Sequence, residues 1–117
     1  MLDIRVRLTG SKKPHAGRVE VEYKGVWGTI SSHGWNKSDA RVVCRQLGYN
    51  DVLQAITDAS SQFDQDIVSS PVWFSDVNCN GTEPSLLHCS RTVVAGSYWL
   101  HDTDAGVVCK ANPSLRM

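Results

Sequence analysis

The sequence predicts an α+β fold, and three observations predict it. Two early runs alternate polar and apolar residues at period two, one segment repeats at helical period between clear start and stop signals, and the later apolar runs have strand length. At 117 residues the chain suits one domain over 1–117, with a core at about 4–110, able to bury roughly two thirds of its unfolded surface. Twelve basic and twelve acidic residues cancel, so no bulk charge draws the chain to nucleic acid. No apolar run reaches the ~18 residues of a membrane span, so no direct membrane insertion is expected, and the opening MLDIRVRL lacks the apolar core of a signal peptide.

In chain order, IRVRLT from Ile4 alternates with Ile4, Val6 and Leu8 on one face and Arg5, Arg7 and Thr9 on the other, a half-buried strand. SKKPHAG is turn-rich. Arg18 to Tyr23 then alternates with Val19, Val21 and Tyr23 inward and Arg18, Glu20 and Glu22 outward. Lys24-Gly25 separates it from VWGTI and predicts a hairpin. In SDARVVCRQLG, Ala40, Val43, Cys44 and Leu47 share one helical face; Ser38 is the expected N-cap, Asp39 complements the dipole, and Gly48 is the stop.

Val52, Ala55, Ile56 and Ala59 carry spacing for a short helix, and SSQFDQDIVSS reads as an exposed loop. VWFSDV is a buried strand candidate. Thr82, Glu83 and Pro84 open a short helix reaching Cys89. Residues 90–104 read as loop, Ala105 to Cys109 as a last strand, and KANPSLRM as a frayed tail. Trp27 and Trp73, inside apolar strands, are expected in the core, with Trp35 less firmly placed.

Four cysteines, Cys44, Cys79, Cys89 and Cys109, permit three disulfide pairings, and spacing does not choose among them. Two sequons, Asn36-Lys37-Ser38 and Asn80-Gly81-Thr82, make Asn36 and Asn80 candidate glycosylation sites; with the cysteines they favour an oxidising compartment. Sugar on Asn36 would sit just before the helix. No Gly-x-Ser-x-Gly turn or other catalytic signature accompanies the four histidines, and His88 beside Cys89 lacks the Cys-x-x-Cys spacing of a zinc site.

In order, GRVEVEYKGVWGTI, GW, DARVVCRQLGY, VNCNGTEPSLLHC and HDTDAGVVC resemble the scavenger receptor cysteine-rich domain over residues 4–110. The resemblance implies a curved antiparallel β-sheet cradling one main α-helix plus a short second helix, stapled by two disulfides. It implies Cys44 paired with Cys109 and Cys79 with Cys89, an extracellular location, secreted or on an ectodomain, and binding of protein, polyanionic or glycan ligands without catalysis. The leading alternative is a spacer module in a mosaic protein carrying a protease or oxidase elsewhere.

The chain departs from that family twice. Ser31 stands where members carry a further cysteine, and its partner near Trp99 is missing too, so Trp99 is expected to fill the space. Many members bind calcium through two acids at the positions of Ser32 and His33, helped by an acid matching Glu83; Asp76 and Glu83 are thus a remnant of a calcium site, short of the six to eight oxygens the ion takes, and no other cofactor is implied. Glu83 can equally serve the helix opening at Pro84, and Asp76 a turn. Among Arg5, Arg7, Arg18, Arg41, Arg45 and Arg91, the strand arginines face cross-strand neutralisation by Glu20 and Glu22. Arg41 and Arg45, at i and i+4 on the helix's polar side, are the ligand-binding candidates against a default of simple solvation.

Overall fold

Alternation at period two builds the framework, as expected. The computed structural model describes residues 4–63, 71–96 and 103–110. Strands β1 (Arg5–Thr9), β2 (Ala16–Tyr23) and β3 (Val26–Ile30) pair antiparallel, and the β2–β3 turn closes on the Tyr23↔Val26 pair. Lys24 and Gly25 both have positive φ (54° and 79°), the two-residue primed turn that matches strand twist. The sheet runs β4-β7-β2-β3-β5-β6, with β1 on β2 off that path, where β4 is Asp51–Ile56, β5 Val72–Asn78, β6 Ser90–Gly96 and β7 Gly106–Lys110. Among the described residues only β3 and β5 pair in parallel, and their approach is tight: a Cβ on Gly28 would stand 2.6 Å from the Pro71 carbonyl oxygen and 2.5 Å from the Trp73 ring.

Helix α1 (Lys37–Gln46) lies across this sheet. Its buried face holds Ala40, Val43 and Cys44 as expected, together with Val42 and Asp39; it packs chiefly on β4 and β7, and its apolar residues join Val19, Val21, Ile30, Val52, Phe74 and Val107 in one core. The cap is Asn36, correcting Ser38: Asn36 is extended, its Oδ1 accepts the Ser38 N–H, and Asp39 accepts the Asn36 N–H in return. Gly48 (φ 98°) ends the helix as expected, donating to the Arg45 carbonyl. Gln46 ties two distant segments to the helix, donating to the Ile4 carbonyl and accepting the Leu86 N–H.

Four expectations are corrected. Residues 51–56 form strand β4, not a helix; a bulge at Leu53 sets two residues opposite one between Cys109 and Val108, so Val52 and Ala55 share the core face three apart while Ile56 is buried outside that core cluster, a spacing that imitates a helix. Residues 90–96, read as loop, form β6, whose pairing with β5 shifts register twice and leaves no alternation to read. A short helix α2 (Ala59–Gln62) replaces the beginning of the expected loop. The helix expected from Thr82 to Cys89 shrinks to a 3₁₀ turn, Leu86–His88, capped by Ser85 Oγ on the Leu87 N–H.

Candidate functional site

The largest departure from the alternating pattern lies on the face of β2 away from α1. Arg18 and Glu20, expected to face solvent, are fully buried. Arg18 Nε sits 3.2 Å from Asp104 Oδ2, and Thr29 Oγ1 donates to Asp104 Oδ1 at 2.9 Å, because the segment before β7 folds over this face and α2 follows it, Ala59 donating to the Asp104 carbonyl. Farther along, the expected neutralisation occurs: Arg7 Nε donates to Glu20 Oε1 at 2.7 Å and Arg5 to Glu22 at 3.1 Å. Trp27, expected in the core, is only half-buried, and it lies beneath both guanidiniums, 4.1 Å from Arg7 and 5.6 Å from Arg5. The Arg5 and Arg7 side chains remain 72% and 47% exposed. Trp35 is buried, its Nε1 donating to the Gly106 carbonyl, and Trp73 is half-buried with Nε1 on the Val26 carbonyl.

The loop after Ile30 meets β5 at His33 and Asp76. His33 Nδ1 lies 2.6 Å from Asp76 Oδ1, the Asp76 N–H donates to the His33 carbonyl, and Asp76 takes a left-handed backbone (φ 54°). Ser31, at the position of the missing cysteine, is buried and its Oγ accepts the His33 N–H; Trp99 lies outside the described residues. Glu83 is not at a helix start. Its two carboxylate oxygens accept the N–H groups of Asn80, Gly81 and Thr82, and these bonds, Asn80 first, hold its pKa below the usual glutamate range. With Glu83 occupied by three amides, Asp76 by an imidazole and Ser32 and His33 in place of acids, the donor set fits calcium poorly. Among the described residues, the one cluster of three possible ligands is Cys79, Glu83 and Cys89, and both its sulfurs belong to a disulfide. His33 bonds an aspartate, but no serine or threonine hydroxyl joins that pair among the described residues.

The disulfides join Cys44 to Cys109 and Cys79 to Cys89, leaving no free cysteine. Arg41 and Arg45 are not brought together as a free pair: Arg41 Nε donates to Asp51 Oδ1 at 2.9 Å, and Arg45 donates to the Gly81 carbonyl at 2.8 Å. The Arg41 hydrogen bond is the main cause of a lowered Asp51 pKa, whereas burial raises that of Asp39. Asp51 therefore stabilises the fold above its unfolded pKa and loses that contribution as pH falls through its lower folded value. Asp39 works the other way, its contribution being present at low pH and lost as pH rises through its raised folded value. Asp51→Asn is expected to flatten the acid limb of stability against pH, read from urea midpoints; an unchanged limb would contradict the pairing. The Arg7–Trp27 stack and the His33–Asp76 bridge both escaped sequence reading. The Glu20 and Trp27 neighbours of Arg7 were visible only as period-two positions on adjacent strands.

Comparison with known proteins follows from this geometry. The scavenger receptor cysteine-rich domain matches residues 9–110. Galectin-3-binding protein of Mesocricetus auratus is 43% identical over 104 residues, 89% of this chain; the chain spans 17% of that relative's length. The third such domain of murine neurotrypsin superposes with a TM-score of 0.77 at 36% identity, covering 91% of this chain and 95% of that one. The domain of mouse MARCO in its dimeric form gives 0.69 at 38%, covering 90% and 94%. No helix among the described residues is long and apolar enough to cross a membrane. With its helix laid across a curled sheet and its two bridges in the pairing that the resemblance implied, the chain belongs to the scavenger receptor cysteine-rich family, a family of extracellular domains.

Proposed function

We propose that this domain is an extracellular, non-catalytic recognition module for polyanionic or acidic protein ligands, and that the face built by Arg5, Arg7 and Trp27 is where it binds them. The observation that carries this reading is the pair of exposed guanidiniums seated on one indole and braced from behind by Glu20 and Glu22. Each arginine spends part of its five-donor fork on one carboxylate, and with the side chains 72% and 47% exposed the rest of the fork is available to sulfate, phosphate or carboxylate. Holding both groups in place beforehand lowers the ordering cost of binding. The names galectin-3-binding protein and MARCO, a dimeric form in the latter case, support a role in association with other molecules.

Arg41 and Arg45 form the competing surface, although each already serves an internal partner. Heparin chromatography separates the two. Arg5→Ala with Arg7→Ala is expected to weaken binding about tenfold, two partly exposed charge contacts at under ~1 kcal/mol each, while Arg41→Ala with Arg45→Ala changes it less. Equal retention of both double variants and the parent would remove the polyanion reading. A spacer role in a mosaic protein is the second reading, favoured by the 17% share of the relative's length that the chain spans and by neurotrypsin carrying at least three such domains.

A further inference from the structure

Both sequons fall on one patch, and a single buried carboxylate holds them there. Asp39 Oδ2 accepts the N–H of Asn36, the first sequon's own asparagine, while Asp39 Oδ1 accepts the N–H of Cys79, the residue before Asn80. The sequons also adjoin: a Cβ on Gly81 would lie 3.6 Å from both Cα and Cβ of Ser38. Asn36 and Asn80 are both exposed. At Asn36 the cap uses only Oδ1, which accepts the Ser38 N–H, so Nδ2 is left for modification and a sugar attached there leaves the cap intact.

We propose that Asn36 and Asn80 are both N-glycosylated and that the two glycans form one shield over the N-terminal end of α1 and the Cys79–Cys89 bridge, leaving ligands to approach from the opposite sheet face. In the transfer step each Nδ2 attacks the anomeric carbon of a lipid-diphosphate-linked oligosaccharide. The N–C bond forms as the sugar C–O bond to phosphate breaks, the lipid diphosphate leaves with that electron pair, and the amide proton passes to a base. Nothing is oxidised or reduced. The opposite face is the side of β2 bearing Glu20 and Glu22, because Val19 and Val21 point toward α1 and their neighbours point away. A bulky hydrophilic group on the helix side hence excludes partners there without touching Arg5, Arg7 or Trp27. The inference rests on the extracellular location, and its readouts are independent of any ligand.

The test uses the full chain secreted from eukaryotic cells. Amidase release of glycans in ¹⁸O water, followed by peptide mapping, is expected to mark both Asn36 and Asn80. Ser38→Ala and Thr82→Ala should each remove one glycan. Ser38→Ala should also leave the melting temperature nearly unchanged, because Ser38 meets the cap through its backbone, whereas Asn36→Gln loses glycan and cap together and melts lower. For the shield, acetylation of exposed Lys37 should be several-fold slower in the glycosylated protein than in the Ser38→Ala/Thr82→Ala double variant, with exposed Lys24 in the β2–β3 turn reacting equally in both. An unmodified Asn36 or Asn80 in secreted protein, or equal Lys37 rates, overturns the proposal.

Discussion

Replacing Cys44 and Cys109 together by alanine is expected to cost about 4 kcal/mol, close to the whole stability of a marginal domain of this size. The bridge closes a sequence separation of 65, and chain-entropy reasoning assigns most of its effect to the unfolded state, where that loop opens when the bond is lost. The native state suffers too. Cys44 is on the buried face of α1 and Cys109 in β7, both fully buried, so the bond fixes the helix on the strand that joins β2 to β4. Cys79→Ala with Cys89→Ala opens a separation of only 10 and should cost less, about 3 kcal/mol. Thermal melts should show the first double variant about 15 °C or more below the parent and below the second. A first variant melting within a few degrees of the parent would mean that packing alone holds α1 in place.

The ordering of these two effects reflects what a single sequence reveals and what it hides. Helix α1 was legible because one buried face leaves a 3.6-residue trace, and the β2–β3 hairpin because Lys24-Gly25 breaks two alternating runs. Pairing of the four cysteines was not legible from spacing and came only with family resemblance, since it depends on which elements the sheet brings together. Strand β4 was misread because its bulge sets Val52 and Ala55 on one face three residues apart, a helix-like step inside a strand. The cap passed to Asn36 because Asp39 reciprocates from three residues on, and the sequence offered Ser38 as a chemically equal choice. At the candidate site, the cross-strand partners of Arg5 and Arg7 were readable from alternation. Burial of Arg18 and Glu20 was not, because alternation assumes one wet face, and here the segment carrying Asp104 closes over it from more than eighty residues away.

That closure makes the Arg18–Asp104 pair the second large lever. Both side chains are out of contact with solvent, so Asp104→Asn leaves a guanidinium that can neither deprotonate nor reach water; the expected loss is about 3–5 kcal/mol. Arg18→Met strands the carboxylate instead, which keeps Thr29 Oγ1 as a donor, and should fall at the lower end of that range. Replacing both, Arg18→Met with Asp104→Leu, should recover much of the loss, because apolar groups of similar volume in a buried ion pair's place are often neutral or stabilising. A double-mutant cycle on urea midpoints, with secreted yield as a second measure should a single variant fail to fold, reads this coupling. Additive losses, or single losses under ~1 kcal/mol, would show the pair to be better hydrated than its burial implies. The consequence extends to recognition. Arg18 and Glu20 share one face of β2, so a relaxed Arg18 frees the strand segment that aims Glu20 at Arg7, and Arg7 over Trp27. The Asp104→Asn protein that does fold should accordingly elute from heparin earlier than the parent, whereas the apolar double variant, with the strand held again, should elute with it.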